Sequence, residues 1–316
     1  MRKLTVCFLG NFREDYCTEN LLSRTLGRMG HEVIRIQECD AVLEDVVEKA
    51  NRSDVFFWTR TAGQLNLDAT KMLNRIKVPT ATYHLDVFVG IEREKEINTN
   101  PFFKLDYFFQ TDGDPITMQK FKELGVNAYY LPPVCSKEEC YINPKVKEFD
   151  YDVVFVGSYN YHREWQYRHL LIDWLESVYG NRFHRFPDDL TGTIQGQKLN
   201  QLYASAKVVV GDCLCPGYTK ERYWSNRVPE TMGRGGVLIH PRIKGLSDFF
   251  QEGKEIILYD FENFDQLGNL INYYVYHTKE ADEIRKNACN VIKEKFTFDN
   301  AIESMFEIMG LGGKNE

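Results

Sequence analysis

The stretch Tyr223-Trp-Ser-Asn-Arg-Val-Pro-Glu-Thr-Met-Gly-Arg-Gly-Gly-Val-Leu-Ile-His240 puts one cation, Arg227, and one anion, Glu230, three residues apart. At that spacing they share a face of a short helix. Ser225 or Asn226 can cap it, and Pro229 fits its first turn, where amide donors still lack partners. Gly233, Gly235 and Gly236 close the helix and lead into a buried strand over 237–239. Phosphates require positive donors and ribose hydroxyls a carboxylate acceptor, so a nucleotide suits such a pair. The plainer reading is an Arg227–Glu230 surface ion pair, worth roughly 0.2–0.5 kcal/mol.

A second set of candidates lies at the expected carboxyl end of a strand over 79–84, where His84 and Asp86 flank Leu85. One intervening residue on extended backbone turns both side chains to the same side. Asp86 is the candidate general base for an acceptor hydroxyl, with His84 orienting it or touching a donor. The structural alternative makes His84 a buried strand residue and Asp86 the cap of the next helix. Asp112-Gly-Asp114 is formally a DxD metal motif. However, Asp114-Pro115 has the N-cap-then-proline pattern of a helix start, which argues against a metal role. His162, His169, His184 and His240 show no metal-ligand spacing, and no GxSxG nucleophile pattern occurs. His240 ends its strand beside Pro241 and is a further candidate for ligand contact. In 159–168 aromatic and basic residues alternate; a helix start is the favoured reading over a stacking surface.

These residues need a frame to hold them. The chain has 316 residues, enough for two domains. Its net charge of −7 counts mildly against binding nucleic acid through a bulk field. The N-terminus has too short an apolar run for a signal peptide or a membrane span, so a cytoplasmic location is expected. The eight cysteines form no CxxC pair, and reduced thiols are expected. Cys213-Leu-Cys215, in a Gly/Pro loop, reads as loop packing or as positioning on the ligand side rather than as a metal site. Strands expected at 4–9, 31–36, 54–58, 79–84, 106–110 and 126–131 alternate with helices at 19–29, 41–50, 68–76 and 116–124. Strands alternating with single helices make a parallel, doubly wound sheet. Loops at strand carboxyl ends carry the chemistry of such sheets; here they hold Gly10-Asn11, Thr59-Arg60, His84-Leu-Asp86 and Thr111-Asp112. After a linker over 132–149 the pattern restarts, with strands near 151–156, 182–186, 207–211, 237–239 and 255–258. Helices are expected over 163–178, 198–205, 264–276, 281–295 and 299–308. The fold class is therefore α/β with two Rossmann-like halves.

Several stretches resemble glycosyltransferases of the GT-B architecture, in particular the CgeB-like group. They are Asp152-Val-Val-Phe-Val-Gly-Ser158 followed by an arginine and a long helix, Ser225-Asn-Arg-Val-Pro-Glu230 with Gly235-Gly236, Lys244-Gly-Leu-Ser-Asp-Phe-Phe-Gln-Glu-Gly253, Ile284-Arg-Lys-Asn-Ala288 and Lys295-Phe-Thr-Phe298. The first half matches more loosely, through Gly10, His84-x-Asp86 and Leu124-Gly-Val-Asn-Ala-Tyr-Tyr-Leu-Pro132. The resemblance implies an acceptor-side domain at 1–148, a donor-side domain at 149–296, a cleft between them, and a helix at 297–316 packing back on the first. It implies that Glu230 grips the donor's ribose hydroxyls, that Arg227 and Arg222 face its diphosphate, and that Gly157 and Ser158 let it approach the backbone. Arg163, Ser225 and Asn226 join this donor set, and Gly10, Asn11, Lys220 and His240 are further candidates for substrate contact. Lys220, Arg222, Arg227 and Arg234 crowd together in an acidic chain, as a departing diphosphate held without a metal requires.

The activity implied is transfer of a sugar from a UDP-, GDP- or dTDP-sugar to a hydroxyl, with no metal or other cofactor. The acceptor (polysaccharide, protein, small molecule or modified DNA base), the stereochemical outcome and the oligomeric state stay open. A sugar-nucleotide epimerase and a non-catalytic nucleotide- or sugar-binding protein are the competing readings.

Overall fold

The computed structural model describes residues 2–160, 167–187, 192–212 and 220–312. The chain forms two compact units. Met1–Pro132 with Phe298–Glu316 makes the first, and Pro133–Thr297 the second.

In the first unit β1 (Thr5–Gly10), α1 (Thr18–Arg28), β2 (Glu32–Gln37), α2 (Leu43–Asn51), β3 (Val55–Trp58) and α3 (Ala69–Arg75) follow one another. Then come β4 (Thr80–His84), α4 (Glu96–Thr99), β5 (Tyr107–Gln110), α5 (Pro115–Glu123) and β6 (Ala128–Tyr130). All six strands run parallel in the order β2-β1-β3-β4-β5-β6. Helices on both faces bury the central strands, so β3 reads as unbroken apolar sequence rather than an alternation. Between β4 and β5 the sequence signal is weak, and the structure fills the gap with α4 and a short 3-10 turn, Pro101–Lys104. That turn drives Phe102 and Phe103 into the core against Trp58 and Phe108.

The second unit contains β7 (Val153–Val156), α6 (Tyr167–Tyr179), β8 (Phe183–Phe186), α7 (Gly196–Ser205), β9 (Val208–Val210) and α8 (Arg227–Gly233). β10 (Leu238–Pro241), β11 (Ile257–Tyr259), α9 (Phe264–Tyr276) and α10 (Thr278–Lys295) complete it. Its parallel sheet runs β11-β10-β9-β7-β8. Counted from its own first strand this is the order 2-1-3-4-5, which the first unit also follows over its first five strands. Along β7, Val153 and Phe155 join one apolar cluster and Val154 the other, as the two-residue period of a strand covered on both faces demands.

The last helix, α11 (Phe298–Ile308), returns to the first unit. Arg28 on α1 makes a forked pair with Asp299 at 2.8 and 2.7 Å, and His31 meets the ring of Phe306 edge-on. The expected linker over 132–149 behaves differently from a free connection. Beyond Pro132 it belongs to the second unit, because the Asn200 amide donates to the carbonyls of Glu139 and Tyr141 at 2.8 and 3.0 Å. Val146 N–H likewise donates to Ser205 Oγ at 2.8 Å. No described helix is long and apolar enough to cross a membrane.

Candidate functional site

In both sheets the chain reverses its winding between the first and third strands, and open α/β sheets hold ligands outside the carboxyl ends at such a switch point. In the second unit those strands are β7 and β9, which end at Gly157-Ser158 and Gly211-Asp212. Asp212 is buried there between two guanidiniums. Arg168, on α6, donates to it through Nε at 2.7 Å and Nη2 at 3.3 Å. Arg227, first residue of α8, pairs with it through Nη2 at 3.1 Å. Burial opposes ionisation of Asp212, but the charges of Arg227 and Arg168 outweigh it and hold the carboxyl below its ordinary value of 3.8. Both guanidinium carbons lie 5.8 Å from the Phe155 ring centroid. Gly157 has a steric purpose at this point. A Cβ there would collide with Arg227 Nη1, which also reaches the Val156 carbonyl at 3.4 Å. The room expected at Gly157 for a ligand is thus taken by Arg227.

The plainer alternative, an Arg227–Glu230 surface ion pair, does not form, since Arg227 turns to Asp212. Glu230 is half-buried, and no hydrogen-bond or ion-pair partner for its carboxylate occurs among the described residues. Burial raises its proton affinity, with Arg234 and Arg227 opposing and Glu139 adding to the rise. Asn226 occupies the N-cap position without a side-chain cap bond, and Ser225 Oγ is buried with no partner among the described residues. At the other end of α8, Gly235 takes φ +84°, and a Cβ on Gly236 would meet the Thr231 carbonyl at 2.9 Å. The glycine turn predicted there is sterically required.

The structure disperses the basic cluster. Arg234 is buried beneath α8, pairing with Glu139 at 2.5 Å and with the Asn200 side chain, so it fastens the 133–148 segment. Arg222 is exposed and pairs with Asp248 at 2.9 Å. Lys220 is buried and has a partner. Arg163, with His162, Cys213 and Cys215, lies outside the described residues. His240 lines the crevice with Asp212, Arg227, Gly211 and Phe155. Burial pushes its pKa down to about 4 against the pull of the Pro241 carbonyl, which lies 2.8 Å from Nδ1. Nε2 has no partner.

In the first unit Gly10 and Asn11 lie at the corresponding switch point. A Cβ on Gly10 would meet Thr59 Oγ1 at 2.7 Å, and Asn11 Oδ1 accepts from Gln37 at 3.2 Å. His84 ends β4 as a buried residue among Phe88, Phe102 and Phe108. Its surroundings push its pKa down to about 4, burial being the main cause. Nε2 lies 3.7 Å from Asp86 Oδ2, so the two side chains do turn to one side. Asp86 caps no helix: the next helical turn, Glu92–Lys95, is preceded by Ile91. Instead the half-exposed Asp86 carboxylate pairs at 2.9 Å with Arg93, whose guanidinium covers the Phe88 ring. Asp114 caps α5 by accepting from the amides of Ile116 and Thr117, while Asp112 accepts from Thr117 Oγ1 at 2.9 Å. The DxD carboxylates are consumed in capping. Among the described residues no group of three or more His, Cys, Asp and Glu side chains is arranged to hold a metal ion. The described cysteines, Cys7, Cys17, Cys39, Cys135, Cys140 and Cys289, are free thiols.

Sequence reasoning passed over Arg168 and Asp212. Asp212 follows a strand and its glycine, which was the available signal. Arg168 lies inside an amphipathic helix, where an arginine usually faces water.

Residues 147–307 match the family described as glycosyl transferase-like. No curated protein matches the chain. Among solved structures, the Anabaena protein HepE in complex with UDP and glucose is similar at TM-score 0.67 and 14% identity, over 97% of this chain and 99% of that one. An alpha-glucosyltransferase in complex with UDP-glucose and DNA containing an abasic site is similar at TM-score 0.69 and 11% identity, over 98% and 100%. A glycosyltransferase from Rickettsia africae is similar at TM-score 0.63 and 10% identity, over the full length of both chains. At these identities the likeness is one of fold, and it is the GT-B fold. With over half of its length matched, the chain belongs to the glycosyl transferase-like family and is a GT-B glycosyltransferase related to the CgeB-like group.

Proposed function

We propose that the second unit holds the nucleotide-sugar donor at its switch point, with Arg227 on the diphosphate and Glu230 on the ribose hydroxyls. The observation that carries this reading is the contrast between two neighbouring groups on α8. Arg227 is held by a buried carboxylate yet keeps 22% of its side chain accessible. Glu230, one turn on, has a half-buried carboxylate left for a ligand's hydroxyls. A half-buried carboxylate is only partly hydrated, and bound hydroxyls would give it hydrogen-bond partners. UDP is the first nucleotide to try, because HepE and the alpha-glucosyltransferase are both described in complex with UDP or its sugar. Gly157, Ser158, Ser225, Asn226 and His240 surround these two residues. Arg222, exposed and neutralised by Asp248, is left out of the proposed contact set.

On the acceptor side, Asp86 is proposed as the base that takes the hydroxyl proton. His84, neutral and buried, orients it. Arg93, 2.9 Å from the Asp86 carboxylate, fixes its position. The sequence division, with the acceptor side at 1–148 and the donor side at 149–296, is retained for the chemistry, although the compact units part at Pro132.

Calorimetric titration of the wild-type chain and Glu230→Ala with UDP, GDP, dTDP and uridine tests the reading. Wild type should bind one nucleoside diphosphate, and Glu230→Ala should weaken it by about tenfold to a hundredfold, the loss of charge-assisted hydrogen bonds. Unchanged affinity, or no binding by wild type, overturns the donor site. Incubation with the UDP-sugar alone separates the competing activities: an isomerised sugar without acceptor would make the chain an epimerase. Tight binding with neither transfer nor hydrolysis would make it a binding protein.

A further inference from the structure

We infer that Arg168 is a positioning residue for the donor diphosphate: with Asp212 it fixes Arg227 and leaves the buried triad one net positive charge to present to the phosphates. The inference rests on the donor-site reading above. Arg168 is itself too buried to touch a ligand, with a side-chain accessibility of 3%. Its Nη1 donates to the Ser158 carbonyl at 3.1 Å, which ties α6 to the turn after β7.

The reason for a second arginine is electrostatic. Asp212 and Arg227 alone would form a neutral pair, whose field beyond Arg227 falls off as that of a dipole. A second guanidinium restores a net charge, and because Arg168 and Asp212 lie out of water that charge is screened less than a surface charge. In the transfer, the bond from the sugar's anomeric carbon to the diphosphate oxygen breaks. Its electron pair goes to the diphosphate, which gains one unit of negative charge. The acceptor oxygen bonds to the anomeric carbon and its proton passes to the base. A fixed cation at the diphosphate therefore acts more strongly on the transition state than on bound donor. Arg168 and Asp212 contribute by holding Arg227 so that it need not reorient during the reaction.

Titrations with UDP and with uridine, together with donor hydrolysis kinetics, on Arg168→Met, Arg168→Lys, Arg227→Met and the double variant Arg168→Met/Asp212→Leu test this. Arg168→Met should bind UDP about tenfold to a hundredfold more weakly, from the loss of one nearby charge, while uridine affinity stays within about twofold. Arg168→Lys keeps the charge and should retain most UDP affinity. The double variant removes charge from both sides, so it should recover UDP affinity while kcat stays low, since Arg227 is no longer held. A folded Arg168→Met with wild-type UDP affinity, or a double variant as weak as the single, overturns the inference and makes Arg168 purely structural. If Arg168→Met does not fold, the double variant against Arg227→Met decides, and equal UDP affinities overturn it. Wild-type UDP affinity in Arg227→Met would instead sink the donor-site reading itself.

Discussion

Replacing Asp212 by Asn changes a few atoms and removes the charge shared by the buried Arg168 and the partly exposed Arg227. The carboxylate accepts at 2.7 and 3.3 Å from Arg168 and at 3.1 Å from Arg227. Asn keeps one acceptor oxygen but turns an NH2 group toward N–H donors, so at least one arginine loses its partner. Removing one partner of a buried ion pair costs about 3–5 kcal/mol, since the remaining charge is desolvated without compensation. For a unit of this size each kcal/mol lowers the melting temperature by about 2–4 °C, giving a fall of roughly 6–20 °C. The measurement is urea denaturation and thermal melting of the full chain, wild type against Asp212→Asn, followed by tryptophan fluorescence; Trp224 and Trp174 report on the second unit. The pH dependence supplies an independent check. Asp212's folded-state pKa is depressed below 3.8, so its contribution is fully present above the unfolded value and is lost as pH falls through the folded one. The stability gap should therefore be constant from about pH 5 to 8 and close only below about pH 4. A gap under about 1 kcal/mol at pH 7, or one that closes between pH 7 and 6, would refute the buried triad.

Gly157→Ala should push Arg227 off its seat, because the new Cβ overlaps Nη1. The guanidinium is the far end of a flexible chain, so we expect a stability loss of about 1–2 kcal/mol alongside roughly tenfold weaker UDP binding by calorimetry. Arg285, buried on α10, donates to the carbonyls of Tyr203 and Ala206 at 2.6 and 3.0 Å and also to that of Gly235. Arg285→Met should cost about 3 kcal/mol or more in urea denaturation, with several buried acceptors left open; a loss below 1 kcal/mol would contradict this. Asp86→Asn should lower kcat by about 10²–10⁴-fold with KM and melting temperature near wild type, and near-normal turnover removes Asp86 from the chemistry. His84 and His240, both pushed down to about 4 by burial, stay neutral in the fold but take up protons near 6.5 when unfolded. Stability present above about pH 6.5 should therefore fall as pH drops toward 4, and the fall should shrink in His240→Gln; an unchanged slope rejects that assignment.

Much of the local structure could be read directly. β1, β3, β4 and β5 were anticipated within about two residues at each end, as was the helix α9 over Phe264–Tyr276, because unbroken apolar runs and 3.6-residue stripes are local signals. Asp114-Pro115 announced its helix start for the same reason. The segment between β4 and β5 was silent, since its short turns carry no period and only their Phe102 and Phe103 side chains show what they are for. The basic cluster of 220–234 misled in part: proximity in sequence suggested one patch, while Arg234 and Arg222 in fact turn to Glu139 and Asp248.

What the amino-acid order determined unaided was two α/β halves and a charged helix start before a glycine turn. Those follow from side-chain period, capping and glycine geometry, each acting over a few residues. Only the tertiary structure decided the strand order and the partner of Arg227, while the return of α11 to the first unit had been implied by the family resemblance alone. Arg168 and Asp212 stand 44 residues apart, on a helix and a strand end that meet at the winding reversal of the sheet. No local rule pairs them, because burial makes an arginine–carboxylate contact decisive, and burial is a property of the assembled layers.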